Sequence, residues 1–145
     1  MSPDMSYDDA NVFAKILRGE IPSAKVYEDA DALVLMDAMP QAEGHTLIVP
    51  KAPSRNLLDA DPQVLARIAP LVQRVARAVK AAYGADGVTV VQFNEPASGQ
   101  TVFHLHFHVI PRHEGVPLMP HGGRPMEKPE VLAANADKIR KALET

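Results

Sequence analysis

An α+β fold with an antiparallel sheet of about five strands is what this sequence predicts, on three observations. Short β-branched or apolar runs bounded by turn residues occur at 25–27, 32–36, 45–50, 87–93 and 102–112. One long stretch, 61–83, instead carries apolar residues at helical spacing: Val64, Leu65, Ile68, Leu71, Val72, Val75, Ala76 and Val79. The order is three strands, a long central helix, then two strands, with a short helix before and a helix after. At 145 residues, without a repeat, a low-complexity segment or a linker, the chain reads as a single domain spanning 1–145.

Each element has a local reason. Residues 1–8 read as a flexible tail. Asp8 or Asp9 can cap a short helix carrying Val12, Phe13, Ile16 and Leu17, which Gly19 stops before Ile21-Pro22 turns the chain. Lys25-Val26-Tyr27 and Ala32 to Met36 form a hairpin around Glu28-Asp29-Ala30-Asp31. Pro40 to Gly44 is a loop, and His45 to Pro50 is a third strand closed by proline. Asp61-Pro62 is a cap and first-turn pair for the long helix. Pro70 inside it should kink or divide it. Arg67, Arg74, Arg77 and Lys80 lie off its apolar stripe and read as a solvated face. After Gly84, a strand from Gly87 to Phe93 leads to the polar loop Asn94 to Gln100. Residues 111–128, rich in proline and glycine, should be irregular, and Val131, Leu132, Ile139 and Leu143 mark a closing amphipathic helix.

Composition narrows the function. An apolar share of 46%, a charged share of 23% and a net charge of −3 describe a globular chain without a broad basic field for nucleic acid or membrane. Without cysteine, disulfides, Cys-ligated zinc and thiol catalysis are excluded. No apolar run reaches the ~20 residues of a membrane span, and the acidic N-terminus is unlike a secretory signal, so a cytoplasmic location is expected.

The chemistry concentrates between Val102 and Arg112, where three of the six histidines, His104, His106 and His108, alternate with apolar residues. In a strand this spacing puts Phe103, Leu105, Phe107 and Val109 on one face and the imidazoles on the other, roughly 6–7 Å apart. Three readings compete on these residues alone. One is a solvent-facing polar side. A second is a metal site, helped by His45 from another strand, although three ligands in line converge poorly on one ion. The third is nucleophilic catalysis at phosphorus, in which one imidazole attacks and its neighbours donate hydrogen bonds to phosphate or leaving group. The adjoining loop suits the third, since Asn94, Ser98, Gln100 and Thr101 are uncharged donors and Gly99 permits close backbone approach.

His-Leu-His-Phe-His-Val-Ile at 104–110 resembles the histidine-triad (HIT) motif of nucleotide hydrolases and transferases. The likeness extends to Phe13–Pro22, Val26–Asp29, Asp37–Lys51 and Asn94–Arg112, covering roughly residues 10–112. The resemblance implies a HIT-like fold and a homodimer with joined sheets. It makes His106 the nucleophile on the α-phosphate of a nucleotide, His108 the contact for phosphate and leaving group, and His104 and His45 the supporting histidines. By the same resemblance Asp37 binds the ribose hydroxyls, Asn94, Gln100 and Thr101 surround the α-phosphate, and Val12, Phe13 and Ile16 clamp the base. No metal or other cofactor is implied for catalysis. The structural zinc that some bacterial members hold through a Cys-x-x-Cys is not expected, because Asn11 and Ala14 stand at those positions. Residues 113–145, with His113 and His121, lie outside the pattern as a variable extension. Gly-Glu-Ile-Pro at 19–22 favours a phosphoramidase-like branch acting on purine nucleoside phosphoramidates such as an AMP derivative. A dinucleoside polyphosphate hydrolase and a non-catalytic nucleotide-binding or scaffold protein are the alternatives, with zinc-dependent hydrolysis a further rival.

Overall fold

Residues 7–120 and 125–145 are described by the computed structural model of the protein, so residues 1–6 of the expected tail, and His121, lie outside the described residues. Strands β1 (Lys25–Glu28), β2 (Ala32–Met36), β3 (Thr46–Pro50), β4 (Gly87–Val91) and β5 (Phe107–Arg112) form one antiparallel sheet. Their spatial order is β1-β2-β3-β5-β4. Helices α1 (Val12–Leu17), α2 (Pro62–Ala82) and α3 (Pro129–Leu143) complete the predicted α+β architecture.

The two-residue period of the strands divides the sheet into two faces. On one, Val26, Val34, Met36, Ile48 and Val109 pack with Ile68, Leu71, Val75 and Val79 of α2 and Ile139 of α3. On the other, Leu33, Leu35, Leu47 and Val49 pack with Phe13 of α1, with Ile16, Leu17 and Val102 alongside. His108, opposite Leu47 in the register, shares this second face. The β1–β2 turn is held by Asp29, whose Oδ1 accepts from the backbone N–H groups of Asp31 and Ala32 at 2.8 and 2.9 Å.

Several expectations are corrected. The histidine segment is extended strand only from Phe107 onward, so His104 and His106 precede β5. Continuing the β3–β5 register past Ile48↔Phe107 would set Pro50, which has no N–H, opposite Leu105. The Leu105 N–H instead donates to the Ser54 carbonyl at 3.0 Å, beyond the end of β3. Pro70 does not divide α2. Pro70 and Ala66, whose carbonyl loses its helical donor, are both exposed, so water can replace that bond. The α1 cap is Asn11, whose Oδ1 accepts from Ala14 N–H at 2.9 Å, rather than Asp8 or Asp9. Tyr7 and Asp8, assigned to the tail, are fastened to the fold: Asp8 accepts from Ala10 and Asn11, and Tyr7 reaches His104. Among the described residues no helix is long and apolar enough to cross a membrane.

Met119 and Glu127, on either side of residues 121–124, both bond to the loop between β2 and β3. Met119 exchanges hydrogen bonds with Gln41, and the Glu127 N–H donates to the Ala38 carbonyl at 2.8 Å. Gly44 closes that loop at φ +91°, and a Cβ there would lie 2.5 Å from the Tyr83 ring, so both conformation and space demand glycine. Tyr83 donates to Asn135 of α3 at 2.9 Å, joining the loop, α2 and α3 behind Asp37.

Candidate active site

His45, His104, His106 and His108 are all buried on the α1 face of the sheet, although they come from the residue just before β3, the segment before β5 and β5 itself. The His106 and His108 ring centroids are 4.9 Å apart, and those of His45 and His108 5.1 Å apart. The structure thus brings together the four histidines that the sequence singled out.

A neutral imidazole has one donor and one acceptor nitrogen, so a partner of fixed polarity reveals the tautomer. His106 Nδ1 lies 2.7 Å from the His104 carbonyl, which can only accept, so Nδ1 carries a proton and, in the neutral ring, Nε2 the in-plane lone pair. His104 Nε2 lies 2.7 Å from the Pro50 carbonyl and is likewise the protonated nitrogen. His104 Nδ1 therefore accepts from the Tyr7 hydroxyl at 2.7 Å. Burial pushes the His104 pKa down, an effect that the bond to Pro50 opposes, which favours this neutral form. His45 Nδ1 accepts from the Gln41 N–H at 3.0 Å, so its proton sits on Nε2, which faces His108 Nδ1 at 2.9 Å. His108 Nδ1 then accepts, and its proton is on Nε2. The result is a nucleophilic nitrogen on His106 beside a hydrogen-bond donor on His108.

Asp37 follows β2. Its Oδ1 accepts from the Met39 N–H at 2.8 Å, and its Oδ2 lies 3.4 Å from His45 Nε2, with 18% of the side chain exposed. Donor atoms of Asp37, His45 and His108 lie within 4.8 Å of one another, a set that could hold a metal ion. The tautomers oppose that use. A metal on His45 Nε2 would need the lone pair of a nitrogen that must hold the proton while Nδ1 accepts from Gln41.

The base-clamp trio separates. Phe13 is buried, with its ring centroid 4.7 Å from that of His106 and 6.5 Å from that of His104, both edge to face, and works as a wall for the imidazoles. Val12 is exposed and Ile16 half-buried, so these two offer apolar surface to a ligand. In the 94–101 loop, Asn94 binds Gln92 and the Leu57 N–H, and Thr101 is exposed. Gln100 is buried and spends all four of its amide hydrogen-bonding positions on Asn56, Glu95, Arg55 and Val102. It is a brace for the loop, so any phosphate contact there falls to other groups.

That brace belongs to a network that sequence reasoning missed. Arg55 forms a two-pronged ion pair with Glu95 at 2.8 and 2.9 Å and lies 4.3 Å over the Phe103 ring. Asn56 also donates to Glu95. Glu95 has φ 74°, unusual for a residue with a side chain, and this pairing holds it there. Arg55 bonding and Asn56 bonding keep the Glu95 carboxyl below the usual carboxylate range. Tyr7, Gln41, Arg55 and Glu95 had no local signal, because their partners lie far off in the chain or are backbone groups.

Fold and site define an α+β protein with a cluster of four buried, hydrogen-bonded histidines on one sheet face. The HIT domain matches residues 18–115, and the chain belongs to the HIT family. It is 57% identical to a HIT-like protein from Bartonella henselae, described as involved in cell-cycle regulation and crystallised with an unknown ligand. The TM-score is 0.91, over 94% of this chain and 98% of that one. It is 38% identical over 114 residues to the adenosine 5′-monophosphoramidase HNT1 of Saccharomyces cerevisiae, covering 79% of this chain and 70% of that protein. It is 41% identical over 103 residues to the adenylylsulfatase HINT3 of Arabidopsis thaliana, covering 71% of this chain but 52% of that longer protein.

Proposed function

We propose that the chain hydrolyses nucleoside monophosphate derivatives at the α-phosphate, with purine nucleoside phosphoramidates as the favoured substrates. The observation that carries this reading is the 2.7 Å bond from His106 Nδ1–H to the His104 carbonyl, which leaves the lone pair on Nε2. His106 Nε2 attacks the α-phosphorus, forming a P–N bond as the bond to the leaving group breaks. The departing amine accepts a hydrogen bond from His108 Nε2–H and takes its proton from a water molecule. The hydroxide so formed attacks the nucleotidyl-imidazole and releases the monophosphate together with neutral His106. Asp37 accepts from the ribose hydroxyls, Val12 and Ile16 flank the base with Phe13 behind them, and the 94–101 loop approaches the phosphate. The names of the yeast and Arabidopsis relatives, a phosphoramidase and an adenylylsulfatase, both concern an adenylyl group with a variable substituent, which favours this class over dinucleoside polyphosphates.

A homodimer is part of the proposal: β4 is a sheet edge and carries Val90, 44% exposed, so two edges can pair. Sedimentation equilibrium that returns a monomer at micromolar concentration contradicts it. The activity is tested with a panel of adenosine 5′-phosphoramidate, nucleotidyl sugars and dinucleoside polyphosphates, with and without chelator. The expected result is chelator-insensitive turnover, fastest on the phosphoramidate. AMP binding without turnover of any member would make the chain a nucleotide-binding protein, and loss of activity to chelator would restore the metal reading.

A further inference from the structure

The N-terminal segment touches the histidine cluster at two points, and Phe13 accounts for one of them. The other is Tyr7, 97 residues away in sequence from the side chain it meets. Its hydroxyl is 2.7 Å from His104 Nδ1, and the two rings lie edge to face with centroids 5.6 Å apart. His104 is 1% exposed. We propose that Tyr7 is a positioning residue for the nucleophile, holding His104 in the tautomer and place from which its carbonyl orients His106; its catalytic consequence rests on the hydrolase reading above.

Three hydrogen bonds of 2.7 Å form the relay: Tyr7 Oη–H to His104 Nδ1, His104 Nε2–H to the Pro50 carbonyl, and His106 Nδ1–H to the His104 carbonyl. The first two fix the His104 ring at both nitrogens, and a ring fixed at both ends fixes the backbone that bears it. The third passes that position to His106. A buried imidazole nitrogen that loses its donor must take in water, turn its ring or change tautomer. Each response moves the residue whose carbonyl aims the nucleophile.

Tyr7 is itself held firmly. The Asp8 carbonyl accepts from the Asn11 side chain at 2.7 Å, Asp8 Oδ1 accepts from the Ala10 N–H at 2.9 Å, and Arg18 donates to the Asp9 carbonyl at 2.8 Å. Asn11 also caps α1, so the segment bearing Tyr7 and the helix bearing Phe13 move as one piece. Phe13 walls His106 while Tyr7 anchors His104, and together they set the nucleophile from one side.

Tyr7→Phe keeps the ring and removes the donor. Nitrogen-15 NMR of the imidazoles and steady-state kinetics on adenosine 5′-phosphoramidate test the assignment together. The variant should shift the ring nitrogens of both His104 and His106, and lower kcat about tenfold with KM within about twofold of wild type. The melting temperature should change less than in a core truncation. Unmoved His106 nitrogens, an unchanged kcat, or a loss confined to KM would overturn the proposal. If wild-type protein turns over no substrate, the hydrolase reading fails by itself. The nitrogen shifts then decide alone: coupled movement of His104 and His106 upholds the positioning role, and movement of His104 only, or of neither, ends it.

Discussion

The two faces of the sheet solve burial differently. Against α2 and α3, β2, β3 and β5 present Val34, Ile48 and Val109 to an apolar cluster that also contains Ile68, Val75 and Ile139. Towards α1, the same strands present Leu33, Leu35, Leu47 and Val49, and there four imidazoles are buried beside the leucines. The apolar face needs only volume and shape. The imidazole face needs a partner of the right polarity at each nitrogen, because a buried polar atom without one costs about 1–3 kcal/mol. Backbone groups supply much of this: the carbonyls of Pro50 and His104 and the N–H of Gln41. Satisfying the nitrogens selects the tautomers, and the tautomers determine which nitrogen can attack. The hydrogen bonds that satisfy burial are thus the ones that the proposed chemistry requires.

Substitutions that separate the faces sharpen the contrast. Ile68→Ala, on the α2 face, should cost about 2–5 kcal/mol in urea unfolding while leaving kcat near wild type. A large fall in kcat without loss of stability would mean that the faces are not separable. A smaller effect comes from pH. Burial lowers the native pKa of His104 below 6.5, so as pH falls through 6.5 the unfolded chain takes up a proton first. The stability that neutral His104 contributes is complete above that value and is lost on descent towards the native pKa. Urea midpoints taken from about pH 7.5 to about pH 5.5 should fall more steeply for wild type than for His104→Asn, whose side chain does not titrate. Equal slopes would mean that His104 is not held neutral.

The same contrast explains what could be read in advance. Strand and helix positions on the apolar face follow from periodicity, and the extents of β2, α2 and α3 lie close to those expected. His45, His104, His106 and His108 are legible as residue types at a given spacing. Their protonation is not, since it depends on Pro50, Gln41 and Tyr7, whose pairing exists only after folding. The beginning of β5 was hidden for a related reason: alternation continues through His104 and His106, but Pro50 ends the ladder there. Asn94 and Gln100 were read as phosphate donors from their chemistry. Gln100 instead braces the loop, a role that requires knowing that Arg55 and Asn56 fold beside it. Tyr7 sat in a stretch with no periodic signal.

In the proposed mechanism His106 Nε2 is the atom that bonds to phosphorus. Rapid acid-free quenching during turnover of adenosine 5′-phosphoramidate, followed by intact-mass and fragment analysis, detects that bond. An adenylyl adduct on His106, absent from His106→Asn together with a fall in turnover of about three orders of magnitude, is the predicted result. Full turnover by His106→Asn, or an adduct on another residue, would contradict it.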